Sequence, residues 1–294
     1  MMKYMEKHPM IMVVIGILGV SLSSILVRYS DAPSVVTAAY RLLWTVALMT
    51  PVMLGRKAMR REMGAVERKT VALSCLSGVF LAVHFSVWFE SLQHTSVASS
   101  ATIVCTDVIW VCLGFCLFLK GKLTWKALLS IAVAFGGSVL IACADSSSGA
   151  HLYGDILALI AAIAAAVYTL LGWVVLKNTS TAVYTYIVYS ACGAVLVCLC
   201  LIQGHGLMEY GASPVIVGLL LAVFSTIMGH TVFNWCMKFF SPSFVTAAKL
   251  CEPVVAAILA IFLFDEIPAA LQLVGGGLIL GGVYAYSRVE RKNG

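Results

Sequence analysis

Apolar runs of near-constant length recur along the chain, at about 9–27, 33–54, 69–92, 95–119, 124–143, 152–176, 182–203, 213–238, 243–264 and 268–287. Each is close to the roughly 20 residues that a helix needs to cross a hydrocarbon core of about 30 Å. Barrel strands would instead show as alternating stretches of about 10 residues. Turn-forming breaks separate the runs, among them Asp31-Ala-Pro33, Asp145 to Gly149, Lys177 to Ser180, Ser241-Pro242 and the Asp265 to Pro268 stretch. The pattern predicts an all-α polytopic membrane protein of ten transmembrane helices. The longest connection, from Gly55 to Arg68, is basic and predicts a short surface helix. Lys3 and Lys7 ahead of the first run imitate a signal peptide. Nine further runs follow and no Ala-x-Ala site closes the first, so it is read as a retained helix.

Composition narrows the class. Of 294 residues, 61% are hydrophobic and 11% charged, with a mean hydropathy of +1.00. Soluble domains carry about 25% charged residues, so a soluble fold, a disordered chain, a nucleic-acid-binding module and a small secreted disulfide scaffold are all excluded. Lys and Arg then set the topology. Lys3, Lys7, the Arg56–Lys69 cluster, Lys120, Lys122, Lys126, Lys177, Lys238 and the Arg288–Lys292 tail fall on one side, Arg28 falls alone on the other, and Arg41 and Lys249 lie inside runs. Both termini are therefore expected in the cytoplasm, in a multi-pass protein of the cell (cytoplasmic) membrane. The net charge of +6 is a topology signal and implies no nucleic acid. The ten cysteines all lie in apolar runs, and no Cys-x-x-Cys or His-x-x-x-His occurs. They read as small packing residues with no metal site.

Two stretches about 145 residues apart look alike. His84, Trp88 and Glu90 correspond to the His230–Trp235 stretch, Thr106-Asp107 to Cys251-Glu252, Phe118–Leu123 to Leu263–Ile267, and Phe135–Ser138 to Gly275–Gly277. This predicts a duplicated five-span unit, residues 1–148 and 149–294. Five is odd, so the copies are expected in opposite orientations, the inverted-repeat plan of secondary transporters with a substrate site near the bilayer midplane.

Tyr40-Arg41, Thr95-Ser-Val-Ala98, the Gly229–Trp235 stretch, Glu252-Pro253 and Glu266-Ile-Pro268 together resemble the drug/metabolite transporter superfamily, EamA type, across essentially the whole chain. The resemblance implies ten helices, alternating access and the movement of small metabolites. Characterised relatives include exporters of amino acids, and others move cations, nucleobases or nucleotide sugars. The chain departs from the family pattern at Gly121, where many relatives carry the glutamate seen here at Glu266, and at Asp107-Val108, where the first half commonly ends in a proline.

Charges inside the runs are the candidate chemistry. At 1.5 Å per residue, Asp107 lies about 18 Å down span 4 and Glu252 about 14 Å into span 9, so both acids are expected near mid-membrane. An intramembrane acid costs on the order of 3 kcal/mol. Lys249 and Glu252 are three residues apart on one helix face, which predicts a buried ion pair or an aqueous cavity. Asp107 has no basic partner at i±3 or i±4, so either another span pairs it or it carries a proton. Pro253 removes a backbone donor beside Glu252 and predicts a bend. His84 and Trp88, at i and i+4, offer a hydrogen-bond anchor beside an aromatic surface. His230 and Asn234 repeat that spacing as an inner gate or as polar contacts between helices. Arg41 reads first as structural, holding a helix C-terminus or an acid, and Glu90 as solvated near the outer surface. Tyr168, Trp44 and Trp110 are candidate cavity walls.

Three readings follow. The first is a secondary transporter, exporting a small polar or amphipathic metabolite such as an amino acid or organic cation. Here His84, Trp88, Asp107, Trp110, Tyr168, Asn234, Lys249 and Glu252 contact substrate, and Asp107, Glu252 and His230 serve proton coupling or gating. The second is a transporter of an anionic metabolite, a phosphorylated sugar or carboxylate, bound by Lys249 and Arg41. The third is a membrane-embedded enzyme, but no Gly-x-Ser-x-Gly and no His-Glu-x-x-His is present. The chain is thus expected to act without cofactor and not as an enzyme, with a small molecule and the lipid bilayer as its partners. Gly137 and Gly275 to Gly277 allow close helix contact, within one chain or in a homo-oligomer.

Overall fold

A computed structural model of the protein describes residues 6, 8–95, 97–145, 152–252, 254–255, 258–259 and 270–293. Among these residues every regular element is a helix. Six of them are α1 (Pro9–Val27), α2 (Ser34–Gly55), α4 (Arg68–His94), α8 (Leu152–Leu176), α9 (Thr181–Ile202) and α10 (Ser213–Cys236). These six are long and apolar enough to cross a membrane. Between and after them come α3 (Lys57–Ala65), α5 (Val97–Val104), α6 (Asp107–Phe118), α7 (Trp125–Asp145), α11 (Pro242–Lys249) and α12 (Ala270–Asn293). The surface helix expected between Gly55 and Arg68 is α3. Its Glu62 accepts a hydrogen bond from Ser180 N at 2.8 Å, at the start of α9. Ser180 in turn caps Val183 N, so α9 begins with its free donors satisfied.

Three of the expected spans differ from continuous α-helix. Span 4 was expected as one helix over 95–119, but it is broken at Cys105 and Thr106 into α5 and α6. The break contains neither proline nor glycine. Its backbone tightens into i→i+3 bonds, Thr106 N to Ile103 O at 3.0 Å and Ile109 N to Thr106 O at 2.9 Å, and the Thr106 hydroxyl donates to Ile103 O at 2.6 Å. Span 9 breaks at the matching place. α11 ends at Lys249, and Leu250 N and Cys251 N bond back three residues to Ala247 O and Ala248 O. Pro253, which lies outside the described residues, lacks the N–H that would have bonded Lys249 O in a continuous helix. The Glu266-Ile-Pro268 turn also lies outside them. α10 carries a second surprise, an 11-residue π-helical stretch from Leu221 to Thr231. The Thr226 and Thr231 hydroxyls in it donate to carbonyls five residues back.

Small residues let the helices approach closely. α8 turns Ala158, Ala161, Ala162 and Ala165 inward, and α4 runs antiparallel against it. Ser77 pairs with Tyr168 O, His84 with Ala161 O, and Gly154 sits on His94. α1 lies on α10 in the same way, Gly16 against Phe233 and Gly19 against Gly229. α7 and α12 pack reciprocally. A Cβ on Gly137 would meet Gly275 O and Ile279 N, and a Cβ on Gly282 would meet Ser130 O and Ala134 N. A shift of about 145 residues carries each contact of the first set onto one of the second, and the two helices are antiparallel. These contacts follow a different pairing from the expected match of Phe135–Ser138 with Gly275–Gly277. In them Gly137 and Gly282 make the equivalent contacts, and the glycine run Gly275–Gly277 lies more than one turn before Gly282. Gly137 and Gly275 are spent within the chain, while Gly277 has nothing within 4 Å of an added Cβ.

Candidate functional site

The two broken spans meet. Lys249 Nζ, at the end of α11, donates to Asp107 Oδ2, the first residue of α6, at 3.2 Å. The side chains are 18% and 7% exposed, so the pair is largely out of solvent. Of the two alternatives for Asp107, another span supplies its partner. The expected Lys249–Glu252 pair is not what forms, because the break after Lys249 turns the ammonium towards α6. Glu252 makes no hydrogen bond or ion pair among the described residues, though Lys249, Asp107 and Arg41 all lie within electrostatic reach of it.

Around these charges stand side chains from four long helices. On α4, the His84 and Trp88 rings stack with centroids 5.8 Å apart and planes 16° apart, as the i, i+4 spacing predicts. His84 Nδ1 donates to Ala161 O at 3.0 Å, which places the neutral ring's lone pair on Nε2. On α10, Asn234 Nδ2 donates to the Tyr168 hydroxyl of α8 at 2.6 Å. His230 sets its ring edge-on to Phe85 at 5.3 Å and to Tyr168 at 6.2 Å. These contacts are those of polar groups joining helices. Trp110, one turn beyond Asp107 on α6, and Trp88 each bury an indole N–H that has no acceptor among the described residues. A buried donor left unpaired costs about 1–3 kcal/mol, so the two are available to an acceptor on a bound molecule. Trp44, by contrast, donates to Val215 O, and Glu90 pairs with His94 at the surface at 3.0 Å.

Arg41 is fully buried. It donates through Nε to Thr226 Oγ1 at 2.7 Å and through Nη1 to Ser23 Oγ at 3.2 Å, and its guanidinium lies 4.1 Å from the Phe85 ring centre. It therefore ties α2 to α1, α10 and α4, and its hydrogen bonds go to hydroxyls where a helix C-terminus or an acid was expected. Thr226, Ser23 and Phe85 were not singled out in the sequence. A hydroxyl at mid-span is a weak mark, and nothing in the local spacing links any of the three to Arg41.

A cavity of about 360 Å³ lies at the basic end of the bundle, lined by Phe115, Lys122, Trp173, Met237, Lys238, Ser241, Tyr286 and Glu290 among others. Asp107, Lys249 and Glu252 do not line it. That cavity stops about two turns of α6 from Asp107. Partial burial pushes the Lys238 ammonium below its ordinary range, with Glu62 nearby opposing the shift. Glu290 Oε1 accepts from Ser241 N at 2.6 Å, at the start of α11. The departure at Gly121 has a steric reason, since a side chain there would run into the Phe115 ring.

The model of the EamA-like transporter family matches residues 8–143 and again residues 152–288. The chain belongs to this family. Two proteins of Archaeoglobus fulgidus, each called an uncharacterized transporter, are similar to this EamA-like chain. One is 23% identical over 84% of this chain and 85% of its own length, the other 27% identical over 68% and 72%. A probable amino-acid metabolite efflux pump of Escherichia coli K12 is 27% identical over 74% of this chain and 78% of its own. One solved crystal structure superposes with a TM-score of 0.78 over 97% of this chain and 98% of that one, at 15% identity, which shows the fold alone. The EamA-like chain is thus a multi-pass membrane protein of transporter type, and family and relatives alike are transporters, not enzymes.

Proposed function

We propose that the protein is a secondary transporter that exports a small polar or amphipathic metabolite bearing an ammonium group, an amino acid or organic cation. In this reading ten helices form two inverted five-helix repeats, both termini lie in the cytoplasm, and transport proceeds by rocking of the repeats in the cytoplasmic membrane. The observation that carries it is the meeting of two interrupted helices at Asp107, Lys249 and Glu252. Interrupted helices at mid-membrane expose backbone groups and charges to a substrate without opening them to lipid. The stacked His84–Trp88 pair and the unpaired indole donors of Trp88 and Trp110 give an amphipathic ligand a flat surface and hydrogen-bond donors beside an acid. The cavity at the basic end is of substrate size and is read as the entry from the cytoplasm, which suits export. The E. coli relative's name points the same way.

An anionic substrate needs free cations. Lys249 is engaged by Asp107, while Arg41, whose Nη2 has no acceptor among the described residues, is fully buried and held through Nε and Nη1 by Thr226 and Ser23; the engagement of Lys249 favours the first reading. The test is a thermal-shift panel on the purified full-length protein with amino acids, amines, phosphosugars and nucleobases, followed by counterflow of each hit in proteoliposomes. Stabilisation and flux by ammonium-bearing compounds, lost in Glu252→Gln, are expected. Hits confined to anions, and lost in Lys249→Met, would overturn the proposal in favour of anion transport.

A further inference from the structure

The charges at the centre break the symmetry that the packing obeys. The shift of about 145 residues that exchanges the α7–α12 contacts also carries Asp107 onto Glu252 and Lys249 onto Val104. The ion pair Lys249–Asp107 therefore has a symmetry-related site, Val104 opposite Glu252, in which the cation is missing. Cys105, next to Val104, lies within electrostatic reach of Glu252, as the exchange of the two breaks requires. Two equivalent acids share one lysine, and the lysine bonds to only one of them.

We infer that Lys249 assigns different roles to the two acids: it holds Asp107 as a neutralised clasp between the broken helices, and it leaves Glu252 as the acid that takes up a cation, a substrate ammonium or a proton. The inference rests on the transporter reading and names the cation-selecting residue within it. Two features support the division. Asp107 is the more enclosed of the pair it forms, whereas Glu252 is half-buried. The titratable groups within electrostatic reach of Glu252 are Lys249, Asp107, Arg41 and Cys105. Lys249 is bonded to Asp107 and Arg41 to two hydroxyls, so neither cation forms a direct bond to Glu252. An acid in that position gains most from a cation that arrives from outside.

Dicyclohexylcarbodiimide separates the two acids without any substrate. A protonated carboxyl adds across the carbodiimide, and the rearranged N-acylurea keeps the whole reagent mass, which peptide mass spectrometry locates. In the unmutated protein in proteoliposomes, Glu252 should label faster than Asp107 by about tenfold or more, because an ion-paired carboxylate gives up its partner at high cost. Lys249→Met should extend labelling to Asp107. Val104→Lys should suppress it at Glu252, and the neutral double variant Lys249→Met/Asp107→Asn should leave Glu252 labelling intact. Equal labelling of the two acids in the unmutated protein overturns the inference, whether or not the variants fold. So does undiminished labelling of Glu252 in a monodisperse Val104→Lys protein. A ligand panel without hits would sink the substrate proposal and leave this assignment standing, so the two fail separately.

Discussion

Four glycine-to-alanine changes test the reciprocal seam between α7 and α12. A methyl group at Gly282 would sit 2.7 Å from both Ser130 O and Ala134 N. Comfortable contact begins near about 3.5 Å, so the helices must part by roughly 0.8 Å. Both neighbours are backbone atoms and cannot rotate away. Overpacking of this kind costs about 1–3 kcal/mol. Gly277, one and a half turns earlier on the same helix, has nothing within 4 Å, and there alanine should instead help the helix by about 0.5–1 kcal/mol. Two substitutions of identical chemistry on one helix should therefore move stability in opposite directions. Gly137→Ala, which meets Gly275 O, should behave like Gly282→Ala, and Gly136→Ala, in open space, like Gly277→Ala. The protein carries its own reporter, since Cys112, Cys192, Cys200, Cys236 and Cys251 are buried free thiols. Melting in detergent can be followed with a thiol-reactive fluorophore. At about 2–4 °C per kcal/mol, Gly282→Ala should lower Tm by roughly 2–12 °C and Gly277→Ala raise it by roughly 1–4 °C. The double variant Gly137→Ala/Gly282→Ala should cost less than the sum, because the first methyl already opens the seam for the second. If Gly282→Ala and Gly277→Ala melt alike, the helices do not touch where the packing places them and the reciprocal contact is wrong.

Two further outcomes are expected. Tyr168→Phe should leave Asn234 Nδ2 buried without its acceptor and cost about 1–3 kcal/mol. Tyr168→Phe with Asn234→Leu should recover part of that loss in the same thiol melt, whereas additive losses would show that the 2.6 Å contact is not a coupled pair. Glu62→Ala removes the carboxylate that receives Ser180 N and should loosen the start of α9 by about 1 kcal/mol. Hydrogen exchange across residues 180–184 should then quicken by about fivefold, with no change at the far end of α9. Unchanged exchange would show that α3 does not hold that cap.

Much of the fold is legible in the sequence because a bilayer demands one simple thing of a helix, a run of apolar residues of fixed length. The long helices fall where those runs fall, and the basic stretch after Gly55 gives the surface helix. The breaks are less legible. Pro253 announces one of them, but Thr106 carries no such mark, since its hydroxyl can bond a carbonyl in an intact helix as well as in an interrupted one. The π-helical stretch of α10 is invisible for a similar reason. Leu221–Thr231 reads as an ordinary apolar helix, and its widened turn is set by what packs on it, including Arg41 on Thr226.

The candidate site divides along the same line. His84 and Trp88 were readable as a pair because both lie on one helix, where spacing determines which faces coincide. Lys249 was misassigned by the same rule. The i, i+3 spacing to Glu252 predicts a pair only while the helix continues, and the helix stops at Lys249. Once it stops, the lysine is free to reach α6, and its partner is chosen by tertiary packing that no local period records. Internal duplication supplies what periodicity lacks. The small-residue runs alone pair Gly275–Gly277 with Gly136–Gly137, but glycines look alike and several shifts match them. The reciprocal contacts of α7 and α12 follow one shift, and under the inference above that shift pairs Val104 with Glu252 by position in the chain. An acid kept in a membrane at a cost on the order of 3 kcal/mol, with its partner position filled by valine, is not accounted for by helix packing alone. The asymmetry between two otherwise equivalent acids is for that reason a stronger pointer to function than either acid taken singly.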